Sequence, residues 1–140
     1  MHRRPLGRGR RLAVLAASII IVGCLLPWFQ HGGGFGELTI YQENGFMGAG
    51  ILVFFAALAT IALLALPYAA GDKPVPIDRT LSYAAVAIVG WIGLVIRVID
   101  LATKCSIQLP DKAPGLWLSA VGLIVLSRAV YDLTRESAAR

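Results

Sequence analysis

The chain has 140 residues, 57% of them hydrophobic and 15% charged, with a formal net charge of +5. A soluble domain carries about 25% charged residues, and the shortfall here is concentrated, because 12–29 and 46–70 contain no Asp, Glu, Lys or Arg. That excludes a soluble domain built round a large core. The basic residues gather at segment ends, where a membrane protein keeps positive charge on one side, so nucleic acid is not an expected partner.

In chain order, "HRRPLGRGRR" carries five arginines and leads into "LAVLAASIIIVGCLLPWF". About 20 helical residues cross a hydrocarbon core of roughly 30 Å, so the pattern predicts a first span over 12–29, with Pro27 in its last turn helping to end it. The 30–45 loop holds Glu37 and Glu43 and no Lys or Arg. Its "GELTIYQENG", rich in β-formers between glycines, predicts a short strand or hairpin capping the bundle. A second span follows at 46–68, ended near Pro67. The connection "GDKPVPIDRT" stops helix propagation with two prolines and is short enough to make spans two and three antiparallel neighbours. Span three covers 81–100 and span four 114–131, each reaching membrane length only by including an arginine, Arg97 or Arg128.

The fold class expected is therefore all-α, a single-domain four-helix transmembrane bundle with a short β-hairpin in the first outer loop. Ten Lys and Arg fall on the side of the two termini and the 71–80 connection, against Arg97, Lys104 and Lys112 opposite. Both termini are then cytoplasmic. Aromatic residues fit this frame, with Trp28, Phe29, Phe46 and Trp117 at outer ends and Tyr68, Tyr83 and Tyr131 at inner ends, while Trp91 sits mid-segment as a packing residue. Small residues suggest helix contacts at Ala13 and Ala17, at Ala57, Ile61 and Ala65, at Gly90 and Gly93, and at Ser119, Ala120 and Gly122. Arginine outnumbers lysine ten to three among abundant Ala and Gly. That mix points to a bacterium with a GC-rich genome and so to the bacterial inner (plasma) membrane.

Two charge pairs are the candidate partner or ion contacts. Arg97 and Asp100 lie one turn apart where span three reaches the outer boundary. The simplest reading is an interfacial anchor whose long side chain stretches to headgroups and pairs locally; the alternative turns Arg97 inward to hold an anion or a partner's carboxylate. Arg128 and Asp132 repeat the pattern at the inner end of span four. No span carries an ionisable residue near the midplane, where transport sites and proton relays place theirs. Cys24 and Cys105 both fall on the outer side, so a disulfide between them is possible, as are two free thiols. "IVGC" also matches a lipobox, which would lipidate Cys24. His2 and His31 cannot form a zinc pair, and no catalytic triad or acid–base pair is placed. Neither a metal nor a cofactor is expected.

The stretches "LPW" at 26–28, "RVID" at 97–100 and "GLWL" at 115–118 make the chain resemble small four-span membrane proteins common in actinobacteria, a family without an assigned activity. The resemblance implies architecture and not chemistry. The plan is also similar to that of claudin-like proteins, but their Trp-Gly-Leu-Trp motif and paired loop cysteines are missing. The expected function is a non-enzymatic accessory or interaction protein, surrounded by membrane lipids and docking to a larger membrane or envelope complex or to copies of itself. The rival reading is a small transporter or channel subunit using Arg97 and Asp100 at its outer mouth, and a third is a lipid-handling subunit, which would retain lipids through purification.

Overall fold

The computed structural model describes residues 7–31, 41–69, 78–104 and 113–138. They form α1 (Arg8–Leu25), β1 (Pro27–His31), β2 (Tyr41–Asn44), α2 (Gly50–Ala69), α3 (Arg79–Lys104) and α4 (Pro114–Ala138). The class is all-α with a small antiparallel sheet of two strands, and three helices, α2, α3 and α4, are long and apolar enough to cross a membrane. Helix α1 packs most closely on α4 and also on α2, which meets α3, which returns to α4.

Helix α1 departs from its expected span at both ends. It starts at Arg8, so three arginines stand in its first turn, and it stops at Leu25. The steric demand of Pro27 on the residue before it forces Leu26 out of helical geometry, to φ −76° and ψ 155°. Proline therefore ends the helix at Leu25, four residues short of the expected end at 29, and "PWFQH" becomes strand β1. The uncharged part of α1, residues 12–25, is about 21 Å long at 1.5 Å per residue, shorter than a full crossing.

The hairpin forms where the loop composition predicts it, although its first strand comes from the end of the expected span. Phe29 pairs with Glu43, Gln30 with Gln42 and His31 with Tyr41, while the register slips between Pro27 and Phe29. That irregularity leaves Trp28 as the extra residue, and its side chain turns into the bundle. Trp28 is fully buried, so it is no interfacial belt residue; Trp117, Tyr68 and Tyr131 are exposed as that role requires, and Tyr83 is buried.

The core runs through Ala16, Ile20 and Cys24 of α1, Val53 and Ala57 of α2, Leu94 of α3, and Leu123 and Leu126 of α4. Gly90 and Gly93 do form the α3 contact face expected of them: a Cβ on Gly90 would meet Leu123 and Ala56, and one on Gly93 would meet Leu52. The expected stripe on α2 is rotated. Val53, Ala56, Ala57 and Thr60 are buried, whereas Ile61 and Ala65 face outward. Trp91 packs between helices, donating its indole N–H to Ser127 Oγ at 3.0 Å and so tying α3 to α4.

Helices α3 and α4 extend beyond their expected ends. Asp78 caps α3, its Oδ1 accepting from the N–H groups of Thr80 and Leu81 at 3.0 and 3.3 Å. The helix then continues a full turn past Asp100, to Lys104. The start of α1 and the end of α4 share one end of the bundle, where Gly9 N–H donates to Glu136 Oε1 at 3.4 Å. The hairpin closes the other.

Candidate functional site

The hairpin end is built from the problem of ending α1. A helix leaves its last four carbonyls without intrahelical donors, and three of these find partners at the cap. Leu26 N–H donates to Val22 O at 3.2 Å, Trp28 Nε1–H to Gly23 O at 2.9 Å, and Gly45 N–H to Cys24 O at 3.0 Å. Glycines leave room for this. A Cβ on Gly45 would stand 2.9 Å from Trp28 Nε1, and one on Gly115 2.7 Å from Trp28 Cδ1.

With Gly45 anchored, β2 delivers Glu43 to Arg97. The guanidinium, 3% exposed, donates through Nη2 to Glu43 Oε2 and through Nη1 to Asp100 Oδ2, the latter at 2.8 Å. Glu43 and Asp100 are 18% and 31% exposed, so the buried cation is matched by carboxylates that still reach solvent. Arg97 Nε is buried and has no hydrogen-bond partner among the described residues. Gly48, at φ +58°, starts the turn into α2; a Cβ there would be strained and would stand 3.0 Å from Arg97 Nη1.

The Arg97–Asp100 pair expected from sequence is formed, but the exposed anchor is not. Arg97 turns inward because it occupies the interior stripe of α3, with Tyr83, Ala87, Gly90, Leu94 and Leu101. Reading from Gly90 and Gly93, whose contact role the sequence does reveal, steps of seven and four residues reach Arg97 on the same face. Glu43 was not foreseen at the site. It lies 54 residues away on another element, and no local pattern marks it.

At the opposite end Arg128 and Asp132 pair loosely, 3.5 Å apart, with Arg128 61% exposed. Arg128 and Arg135 also stack on Tyr131, at 5.2 and 4.8 Å from the ring centre. Arg128 is solvated, but Asp132 is 14% exposed and its Oδ2 is buried without a hydrogen-bond partner among the described residues, and the fold does not bring the pair to Arg97. Cys24 is a buried free thiol beside Gly45, and Cys105 lies outside the described residues. Lipidation at Cys24 would follow removal of the residues before it, and these contribute Ala13, Ala16, Ala17 and Ile20 to the core. Among the described residues no cluster of His, Cys, Asp and Glu could hold a metal.

Fold and site together define a class: an all-α bundle with three membrane-capable helices, closed at one end by a hairpin tied to a buried arginine. No family model matches the chain, and neither the curated proteins nor the solved structures contain a significant match.

Proposed function

We propose that the chain is a non-enzymatic accessory protein of the bacterial plasma membrane, crossing it four times with both termini cytoplasmic and presenting its hairpin end to a larger membrane or envelope complex. The observation that carries this reading is the sorting of charge along the bundle. Arg8, Arg10, Arg11, Arg128 and Arg135 lie at the end shared by the start of α1 and the end of α4, whereas Arg97 at the hairpin end is matched by Glu43 and Asp100. Excess positive charge marks the cytoplasmic side. On this reading α1 is the shortest crossing. Its outward residues Val14, Leu15, Val22 and Leu25 are apolar, and arginines reaching to headgroups extend its span.

Single cysteines placed at each terminus and in the 32–40 segment test the topology. An impermeant maleimide applied to intact cells should label the 32–40 position and neither terminus. Gentle extraction from native membranes tests the accessory role: the chain should travel with a partner or with copies of itself, and a lone monomer would overturn that part. The transporter or channel reading is favoured by one observation, the burial of Arg97 at the hairpin end. Flux in proteoliposomes that is lost in Arg97→Glu would put that reading in place of the accessory one.

A further inference from the structure

We infer that Arg97 forms a binding site for a phosphodiester anion, which Glu43 occupies as a tethered stand-in. Three features of the site point this way. A guanidinium meets an oxyanion best along its Nε–Nη edge, where two parallel N–H groups bond two oxygens. Glu43 engages Nη2, and Nε beside it is left buried without a partner. A buried ionised donor without an acceptor is penalised, so the present occupant satisfies the fork only in part. An anion spanning Nε and Nη2 would satisfy it completely.

The geometry also determines which partner can leave. Asp100 lies on the helix that carries Arg97, and a Cβ on Gly48 would stand 3.0 Å from Nη1, so the α2 turn bounds that side of the guanidinium. Glu43 sits on β2, which Gly45 ties to α1, but its side chain is 18% exposed, so a change of rotamer draws the carboxylate off Arg97 without moving the strand. Withdrawal of Glu43 opens the Nε–Nη2 edge while Asp100 still compensates the charge.

Charge selects the class of ligand. Arg97, Glu43 and Asp100 together carry one net negative charge. Exchanging Glu43 for a monoanion conserves that balance, whereas a dianionic phosphate monoester adds a charge facing Asp100. A phosphodiester is a monoanion, and both lipid headgroups and free glycerophosphodiesters supply it. The inference does not depend on docking to a partner complex; only its lipid arm requires that the hairpin end lie at a membrane face.

The test uses the full chain in detergent micelles, titrated with phosphatidylglycerol or phosphatidylcholine and read by native mass spectrometry. If Glu43 holds the site closed, affinity rises by the inverse of the open fraction, so Glu43→Gln should bind one phosphatidylglycerol about tenfold more tightly than the parent. Phosphatidylcholine carries the same phosphodiester but is neutral overall and does not restore the charge Glu43 supplied, so its gain should be smaller. Adding Arg97→Lys, which keeps the charge and removes the fork, should abolish the gain. Competition by soluble glycerophosphoglycerol would show that the headgroup suffices, and a gain without competition would assign the site to membrane lipid; both support the inference. Equal phosphatidylglycerol binding by parent and Glu43→Gln would overturn it, as would a gain that survives Arg97→Lys. Should Glu43→Gln not fold, Glu43→Asp draws the carboxylate back by one methylene and should give a smaller gain of the same sign; no gain would overturn the inference. Partner co-purification plays no part in this readout, so its failure and that of the accessory reading are separable.

Discussion

Replacing Gly115 by alanine should loosen the α1–α4 contact at the capped end. A Cβ at Gly115 would stand 2.5 Å from both Gly23 O and Leu26 O and 2.7 Å from Trp28 Cδ1. Ordinary van der Waals contact begins at 3.4 Å, so about 0.9 Å (3.4 minus 2.5) must open against two backbone carbonyls. Neither carbonyl can rotate away, since one accepts from Trp28 and the other belongs to the residue that caps α1. Overpacking of this kind costs about 1–3 kcal/mol, and disturbing the Trp28 hydrogen bond adds about 1 kcal/mol. The gain in helix propensity is at most about 1 kcal/mol and smaller in a first turn, which leaves a loss of roughly 2–3 kcal/mol. Gly90→Ala is the matched control. Its Cβ would meet the flexible Leu123 Cδ2 at 2.7 Å and Ala56 Cβ at 3.2 Å, and it gains propensity in a helix interior, so its effect should stay within about 1 kcal/mol. SDS titration in detergent, followed by tryptophan fluorescence, measures both. A Gly115→Ala midpoint no lower than that of Gly90→Ala would refute the reasoning.

Trp28→Phe removes the donor to Gly23 O and leaves that buried carbonyl without its partner, so stability in the same titration should fall by about 1–3 kcal/mol; no change would mean that the indole does not cap α1. Glu43→Gln and Arg97→Met should each destabilise, and their double mutant should lose less than the sum of the two. A coupling energy of about 1–3 kcal/mol is expected for residues that share one ion-pair network, and a value near zero would deny the tie. Asp78→Ala removes the α3 cap and should cost about 1 kcal/mol, measured as a lower thermal midpoint in detergent.

Much of the fold is legible in the sequence, and the misses have physical causes. Pro114 and the end of the 71–80 connection place the starts of α4 and α3 to within two residues, because proline and Asp78 act locally. The phase of α2 is not legible. A helix apolar all round has no polar face to set its rotation, so Ala57, Ile61 and Ala65 looked as good a stripe as the real one, Val53, Ala56, Ala57 and Thr60. Trp28 was misread because the preference of aromatic rings for membrane interfaces takes no account of a register slip that turns one ring inward. The inward position of Arg97 could have been found from its spacing to Gly90 and Gly93. Glu43 could not, since its partner is set by where the cap lands.

That landing has a single origin. Pro27 stops α1 at Leu25, and stopping it strands carbonyls beside the buried core, where each unmade hydrogen bond is expensive. The Trp28 indole and the Gly45 amide meet that need, and in doing so they fix both strands of the hairpin against the helix end. Once Gly45 is fixed, Glu43 two residues earlier lies within reach of Arg97. A cation in the interior stripe of α3 would otherwise destabilise the bundle by lacking a second counter-charge. The same strand that completes the end of α1 therefore makes the burial of Arg97 tolerable, and any movement of the hairpin must alter both at once.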